Sequence, residues 1–253
     1  MSAPDPPPLS QYVSSSERSA RDEIEQLLRD TPLPPRELLE NLGLYINRQL
    51  LTRMLFMDEL YRQALSVHGV VMEFGCRWGQ NLALFSSLRG MYEPYNHTRR
   101  IIGFDTFEGF VGVNAKDGEH PAAAAGGYGV SAAYEDYLER ILAYHEQESP
   151  LSQMRKFELL KGDVGETLPA YLERHPETIV ALAYFDMDLY EPTKAALEAI
   201  RGLITRGTVI AFDELGYADW PGETLALKEV FGLDRFRIVR SPANSVPSYV
   251  VVD

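Results

Sequence analysis

The strongest constraint on the fold is a regular alternation of short apolar segments with helical segments, which begins at residue 70. Apolar runs predict strands over 70–74, 100–105, 157–163, 179–186 and 208–213, and helical patterns follow over 80–91, 167–174 and 192–204. Near-continuous apolar strands that alternate with helices are typical of a parallel sheet covered on both faces. Two further runs, 235–240 and 248–253, are close enough in sequence to pair antiparallel. The sequence therefore predicts an α/β fold with a mostly parallel, seven-stranded sheet and an antiparallel edge strand.

The chain before residue 70 has a different pattern. Residues 1–15 are rich in proline and serine, which is typical of a mobile arm. Helical patterns follow from Ser16 to about residue 30 and from Pro35 to about residue 65. We therefore predict an N-terminal arm and helical cap over 1–69 and an α/β domain over 70–253.

Residues 111–150 interrupt the alternation within the α/β domain. A Gly/Ala-rich stretch precedes a polar helical segment there. A long loop that follows the carboxyl end of a strand is often functional. We expect this segment to be either a lid over a substrate or an inert insertion.

The charge balance excludes several classes of partner. The 253 residues include 24 Lys and Arg against 37 Asp and Glu, a formal net charge of −13. Binding to nucleic acid or to anionic lipid depends on basic residues, so we expect neither a nucleic-acid nor a membrane partner. The single cysteine, Cys76, forms no intramolecular disulfide, and the N-terminal residues show no signal-peptide pattern, so we expect a cytoplasmic location.

A glycine turn follows the first predicted strand. Glu73 precedes Gly75 and Gly79, and glycines let the backbone turn tightly and approach a ligand. The Gly-x-x-x-Gly spacing differs from the G-x-G-x-x-G of dinucleotide-binding proteins, and a carboxylate at Glu73 would repel a pyrophosphate. S-adenosylmethionine suits the turn better, because it carries a sulfonium and an ammonium group and no phosphate. For the turn alone, a strand–helix corner without a ligand is the alternative.

Two further acids favour that cofactor. Asp105 ends the second predicted strand, where a carboxylate can accept hydrogen bonds from both ribose hydroxyls, and Asp163 ends the third, where the adenine amino group needs an acceptor. One such acid could be a helix cap, but three acids at the ligand-binding edge of the sheet favour a ligand. We therefore expect S-adenosylmethionine, bound by Glu73, Gly75, Gly79, Asp105 and Asp163, with an NAD-dependent oxidoreductase as the remote alternative.

A second acidic group ends the next two predicted strands. Asp186 follows the fourth strand, and Asp213 and Glu214 follow the fifth. Carboxylates that converge at one edge repel one another unless they are protonated or bind a cation. Oxygen ligands alone favour Mg²⁺, with Ca²⁺ and Mn²⁺ as alternatives. Asp188 could be a further ligand, but we expect Asp188 and Glu191 to cap the following helix.

Three segments resemble the macrocin O-methyltransferase family: F-D-T-F-E-G-F at 104–110, D-M-D-L-Y-E-P-T at 186–193, and Asp213-Glu214. The resemblance covers about residues 70–216. It implies a Rossmann-like class I methyltransferase fold that methylates a sugar hydroxyl on a glycosylated natural product, using S-adenosylmethionine and Mg²⁺, in antibiotic biosynthesis. It also implies metal ligation by Asp186, Asp213 and Glu214, with Asp186 as general base, and a homo-oligomer formed through the N-terminal helices. The family usually has two aspartates at the last pair, so Glu214 departs from its pattern.

The expected chemistry is methylation of a small-molecule glycoside. A bound metal lowers the pKa of a sugar hydroxyl, Asp186 removes its proton, and the oxygen attacks the sulfonium methyl in line. His120 and His145, in the predicted insertion, are alternative bases. The alternative functions are a catechol-type O-methyltransferase acting on a small aromatic diol and a catalytically inactive, methyltransferase-like binding subunit.

Overall fold

The computed structural model describes residues 13–244 and 246–253, so most of the predicted arm, residues 1–12, lies outside the described residues. Seven strands form one sheet: β1 (Val70–Phe74), β2 (Ile101–Asp105), β3 (Phe157–Lys161), β4 (Val180–Phe185), β5 (Ile204–Phe212), β6 (Val239–Arg240) and β7 (Ser248–Val251). Their order is β3-β2-β1-β4-β5-β7-β6. Strands β1 to β5 pair in parallel, and β7 pairs antiparallel with both β5 and β6. The predicted mostly parallel sheet with antiparallel pairing at one edge is therefore confirmed.

The described helices are α1 (Ser15–Arg29), α2 (Pro35–Glu40), α3 (Arg48–Ala64), α4 (Gln80–Tyr92), α5 (Tyr134–Gln147), α6 (Val164–Arg174), α7 (Tyr190–Ile200) and α8 (Gly222–Val230), with a 3₁₀ turn over Leu42–Tyr45. Helices α3, α4 and α5 contribute buried side chains to the core on one face of the sheet, and α6, α7 and α8 to the core on the other. The sequence did not predict α8, because Pro221-Gly222 at its start is a pair typical of turns.

Four phenylalanines align the carboxyl ends of the central strands. The register pairs Phe74 with Phe104 on β2 and with Phe185 on β4, and pairs Phe185 with Phe212 on β5. Successive rings stack with centroids 5.0, 4.7 and 5.1 Å apart. Each ring belongs to the last or the last but one residue of its strand, so the loops after β1, β2, β4 and β5 leave the sheet at nearly the same level.

The N-terminal helices differ in how they contact the core. Helices α1 and α2 and the 3₁₀ turn bury no residue, whereas α3 buries five, from Phe56 to Ala64. Ser14, rather than the predicted Ser16, caps α1, because its hydroxyl accepts the Glu17 N–H while the Glu17 carboxylate accepts the Ser14 N–H. The predicted division at residue 69 stays a prediction. Among the described residues, no helix combines the length and the apolar composition needed to cross a membrane, and the expected cytoplasmic location stays a prediction.

The predicted insertion divides into an anchored helix and an irregular segment. Helix α5 buries Glu146, which accepts hydrogen bonds from the Arg89 guanidinium at 2.9 Å and from the Lys156 backbone N–H at 2.8 Å. The residues before α5 form irregular loops, and aromatic side chains within them contact Trp220 at centroid distances of 4.8–6.0 Å. Helix α5 is therefore fixed to the core, and the irregular segment lies over the carboxyl edge of the sheet.

Candidate active site

A large cavity lies at the carboxyl edge of the sheet. It has a volume of about 1050 Å³ and is lined by the glycine turn after β1, the segments that follow β2, β4 and β5, and the first turns of α3. Pockets for one drug-sized ligand usually measure about 300–1,000 Å³. The cavity therefore has room for two ligands, and the predicted cofactor and acidic residues can be located relative to it.

Gly75 lies where the glycine turn passes closest to the loop after β4. Its φ is +87°, and a Cβ built there would lie 1.9 Å from the backbone oxygen of Asp186. Gly79 also has a positive φ, +73°, and a Cβ there would overlap the Leu138 side chain. Gly75 lines the cavity, whereas Gly79 shapes the start of α4 from outside it. Cys76 is buried beneath the turn, where burial raises the pKa of its thiol.

Asp105 lines the cavity with both carboxylate oxygens already bonded to backbone. Its Oδ2 accepts the Arg77 N–H at 2.7 Å, and its Oδ1 accepts the Phe107 N–H at 2.5 Å. These bonds fix the carboxylate beside the glycine turn. Each carboxylate oxygen can accept a second hydrogen bond, so the capacity to bind hydroxyl groups remains.

Asp163 and Glu73 occupy different environments. Asp163 lines the cavity and also caps α6, since its Oδ1 accepts the Gly165 N–H at 2.7 Å. Glu73 is only 1% exposed and lies behind the cavity wall, where its Oε1 accepts a hydrogen bond from Asn81 and its Oε2 has no partner. Burial raises the pKa of Glu73 well above its usual range. The predicted direct contact of Glu73 with a ligand stays a prediction, and Asn81 is the neighbour that reaches the cavity.

Three carboxylates converge on the cavity wall that the loops after β4 and β5 form, which we call the acidic wall. One oxygen each from Asp186, Asp188 and Glu214 lies within 4.8 Å of the other two. Burial and the neighbouring acids raise the pKa of Asp186 to about 8 and that of Glu214 well above its usual range, and burial raises the pKa of Asp188 to about 6. Glu214 Oε2 is buried without a hydrogen-bond partner. This group therefore brings oxygen atoms of three carboxylates close together, an arrangement that a bound cation stabilises.

Asp213 is engaged elsewhere. Its Oδ1 accepts a hydrogen bond from the buried Tyr184 hydroxyl and forms an ion pair with Arg53 at 3.1 Å. The same Arg53 nitrogen lies 2.5 Å from Asp186. Arg53 comes from α3, and nothing in the local sequence pattern indicated that this helix would supply a cation to the site.

The expected capping role of Asp188 and Glu191 is wrong. Leu189 is the N-cap residue of α7, and its side chain makes no capping hydrogen bond to the helix. The Tyr190 N–H instead donates to the buried carboxylate of Asp117 at 2.6 Å, which ties the insertion to α7. Asp188 has a φ of +61°, and this turn directs its carboxylate toward Asp186 and Glu214.

A fourth buried acid, Glu223 in α8, contacts the loops that carry this group. Its two oxygens accept the backbone N–H groups of Met187 and Glu214, each at 3.2 Å. Burial and the nearby aspartates raise the pKa of Glu223 well above its usual range. The sequence gives one indication of this buried acid, which is that Glu223 precedes the apolar residues of a short helix.

The histidines lie outside the cavity. His120 packs on Trp220 and accepts the Ala122 N–H, and His145 lies on α5 beside Ser87. Neither lines the cavity in the described part of the chain. The carboxylates are therefore the bases within reach of a bound acceptor.

Comparison with known proteins gives matches only among solved structures. No family model and no curated protein matches the sequence. The crystal structure of CalS11, a calicheamicin methyltransferase, matches with a TM-score of 0.93 and 46% identity over 98% of each chain. An apo structure of CalS11, described as a TDP-rhamnose 3'-O-methyltransferase of calicheamicin biosynthesis, matches with a TM-score of 0.84 and 43% identity over 95% of this chain and 96% of that one. The O-methyltransferase NovP, at 17% identity and a TM-score of 0.59 over 79% of each chain, shows the fold alone.

Identity of this level over nearly the full length establishes common family membership. The fold agrees, since the mostly parallel, seven-stranded sheet with antiparallel pairing at one edge is the fold that the resemblance implied. The chain belongs to the sugar O-methyltransferase family that includes CalS11, and it is an S-adenosylmethionine-dependent O-methyltransferase.

Proposed function

We propose that the protein transfers a methyl group from S-adenosylmethionine to a hydroxyl of a deoxysugar, with a divalent cation beside the reacting oxygen. One observation carries the proposal: the glycine turn with Asp105 and the group of Asp186, Asp188 and Glu214 line one continuous cavity. Methyl transfer needs oxygen, methyl and sulfur in line, and a shared cavity lets cofactor and acceptor meet in that geometry.

The cofactor side is assigned to five residues. Asp105 retains acceptor capacity for the ribose hydroxyls, and Asp163 lies farther along the same wall. Gly75 allows close approach because it has no side chain. Glu73 and Gly79 act by shaping the turn from behind, Glu73 through its hydrogen bond to Asn81.

The residues at the acidic wall fit a divalent cation. Carboxylate oxygens are the ligands that Mg²⁺ prefers, and three acids supply them here: Asp186, Asp188 and Glu214. The Glu214 Oε2 atom is buried without a hydrogen-bond partner, and a cation would provide one. This set replaces the expected Asp213 by Asp188, because the Asp213 carboxylate accepts the Tyr184 hydroxyl and lies outside the group of three converging acids. A bound divalent cation would lower the pKa of a sugar hydroxyl.

The chain's own groups supply the other requirements. Asp186 accepts the hydroxyl proton, because its carboxylate lines the cavity beside Asp188 and Glu214. Arg53 bridges Asp186 and Asp213 and so fixes the orientation of both carboxylates. We propose that the irregular segment before α5 is a lid within the 111–150 insertion. Its aromatic side chains contact Trp220, which holds the segment over the site, and the segment excludes water from the cavity.

The substrate class follows from the relatives. CalS11 acts, by its description, on the sugar of TDP-rhamnose. We propose that this protein likewise methylates a deoxysugar, carried either on a nucleoside diphosphate or on a glycosylated natural product. The cavity volume is larger than one cofactor-sized ligand needs and suits a sugar with its carrier.

Isotope-labelled S-adenosylmethionine tests the proposal. Labelled methyl groups should appear on TDP-rhamnose or on a rhamnosylated natural product, and EDTA or Asp186→Asn should abolish transfer while S-adenosylmethionine binding by calorimetry stays intact. Asp136→Asn, an exposed acid on α5, is the matched control and should keep full activity. Transfer to a simple catechol but to neither sugar would refute the sugar assignment, and full activity of Asp186→Asn in EDTA would refute the metal assignment.

We also propose that a second copy of the chain covers the N-terminal helices. Leu39 and Leu44 are 70 and 66% exposed and lie on α2 and the 3₁₀ turn, which bury no residue within one chain, and Leu55, 58% exposed, lies on α3. Clustered exposed leucines are typical of an interface. Light scattering should give a dimer or larger assembly that Leu39→Ser with Leu44→Ser dissociates, and a monomeric wild type would refute this proposal.

A further inference from the structure

Glu223 is a buried acid that the methyl-transfer chemistry does not use. It lies in the first turn of α8 and is 0% exposed. Its carboxylate forms no ion pair within the described ranges, 13–244 and 246–253. It accepts hydrogen bonds from two backbone N–H groups. Burying a carboxylate without a cation costs free energy, so its placement calls for a physical reason.

Both oxygens of Glu223 are used, and each holds a different loop. Oε1 accepts the N–H of Met187, the residue between Asp186 and Asp188, and Oε2 accepts the N–H of Glu214. These two loops carry all three carboxylates of the acidic wall. One side chain therefore links the backbone on both sides of that wall.

The neighbouring residues of α8 confirm how closely the helix approaches these loops. A Cβ built on Gly222 would lie 2.3 Å from the backbone oxygen of Asp188, so only glycine allows this contact. The Thr224 hydroxyl accepts the Gly216 N–H at 2.9 Å, on the loop that follows Glu214. The first turn of α8 thus holds the loop after β4 and the loop after β5 at the same time.

We propose that Glu223 is a positioning residue that sets the spacing of Asp186, Asp188 and Glu214 and thereby the affinity for a divalent cation. This inference rests on the proposed function. A glutamate suits the position because both of its oxygens accept. Glutamine has one acceptor, and its amide N–H₂ would face either the Met187 or the Glu214 N–H.

Mn²⁺ binding, measured from the free Mn²⁺ signal in electron paramagnetic resonance, tests the inference without an activity readout. Loss of a group that orients metal ligands typically weakens metal affinity by about 10- to 100-fold. We expect that weakening in Glu223→Gln, with S-adenosylmethionine affinity within about twofold of wild type. The matched control is Glu229→Gln on the same helix, whose carboxylate faces Lys194 on the outside, and it should bind Mn²⁺ like wild type.

Glu223→Asp is the second variant, because its shorter side chain keeps the charge but cannot reach both N–H groups. Weaker Mn²⁺ binding by both variants, at unchanged cofactor affinity, supports the positioning role. Wild-type Mn²⁺ affinity in Glu223→Asp, or in a folded Glu223→Gln, would overturn it while leaving the proposed function intact. A wild-type protein that binds no Mn²⁺ would overturn both the metal assignment and this inference.

Discussion

Replacing Gly75 by alanine tests whether the backbone of the glycine turn, rather than any side chain, shapes the cofactor side of the cavity. The new Cβ would lie 1.9 Å from the Asp186 oxygen, and that contact must lengthen by about 1 Å to reach a tolerable distance. Asp186 cannot move freely, because its N–H donates to the Phe74 oxygen at 2.8 Å. The substitution therefore strains both the turn and the loop that carries Asp186.

The magnitude has two parts. A non-glycine residue at φ +87° costs about 1–2 kcal/mol, and overpacking a tight site costs about 1–3 kcal/mol more. We expect Gly75→Ala to lower the free energy of unfolding by about 2–5 kcal/mol and to weaken cofactor binding at least tenfold, which corresponds to about 1.4 kcal/mol.

Urea unfolding and calorimetric titration with S-adenosylhomocysteine measure the two effects. The matched control is Gly202→Ala, where a Cβ meets nothing within 4 Å. Its stability should stay within about 1 kcal/mol of wild type, since alanine at a compatible site costs little or stabilises. If Gly75→Ala matched Gly202→Ala in both stability and affinity, the argument that the turn depends on glycine would be wrong.

Other outcomes follow from the charged groups. Glu146→Gln should lower the free energy of unfolding in urea by about 3–5 kcal/mol, because it leaves the buried cations Arg89 and Lys156 without a counter-charge. Burial alone would raise the pKa of Glu146, but hydrogen bonds from Lys156 and Arg89 keep that pKa below the usual 4.5. The stabilisation that the Glu146 carboxylate provides is therefore lost as the pH falls below 4.5. The variant lacks this carboxylate, so the pH dependence of its unfolding should be shallower. Arg53→Gln should bind Mn²⁺ more tightly, by up to about fivefold, because the guanidinium that competes for Asp186 is removed; unchanged or weaker binding would contradict this.

The local sequence pattern was sufficient to predict β1 and the helix that follows it, α4. The strand at Val70–Phe74 was predicted with its observed bounds, and the helix after it to within one residue, because an apolar run followed by a glycine turn is a local signal. Helix α8 was not predicted, because it is only nine residues long and because the Pro221-Gly222 pair at its start is typical of a turn. That glycine is fixed by its contact with Asp188, a residue far away in sequence.

The candidate site shows the same division between local and distant information. The acids at the ends of β2, β4 and β5 could be predicted because parallel strands end at one edge. Their individual partners could not be predicted, since Arg53 reaches Asp186 and Asp213 from α3, more than 130 positions earlier in the chain. The turn at Asp188 likewise depends on how α8 packs, so the expected capping role was wrong, and the carboxylate lies beside Asp186 and Glu214 as the alternative interpretation had it.

The acidic wall is a costly arrangement, and its cost indicates what the fold is built around. Four buried or half-buried carboxylates, Asp186, Asp188, Glu214 and Glu223, share the neighbourhood of two guanidinium groups, those of Arg53 and Arg77, and burial raises the pKa of each carboxylate. Stability alone would favour apolar side chains at such positions. The structure instead holds the loops that carry them with hydrogen bonds from two backbone N–H groups to Glu223 and with a glycine, Gly222, that brings α8 to contact distance. Local rules of stability are broken where function requires it, so the concentration of acidic side chains at this edge favours a cationic ligand there.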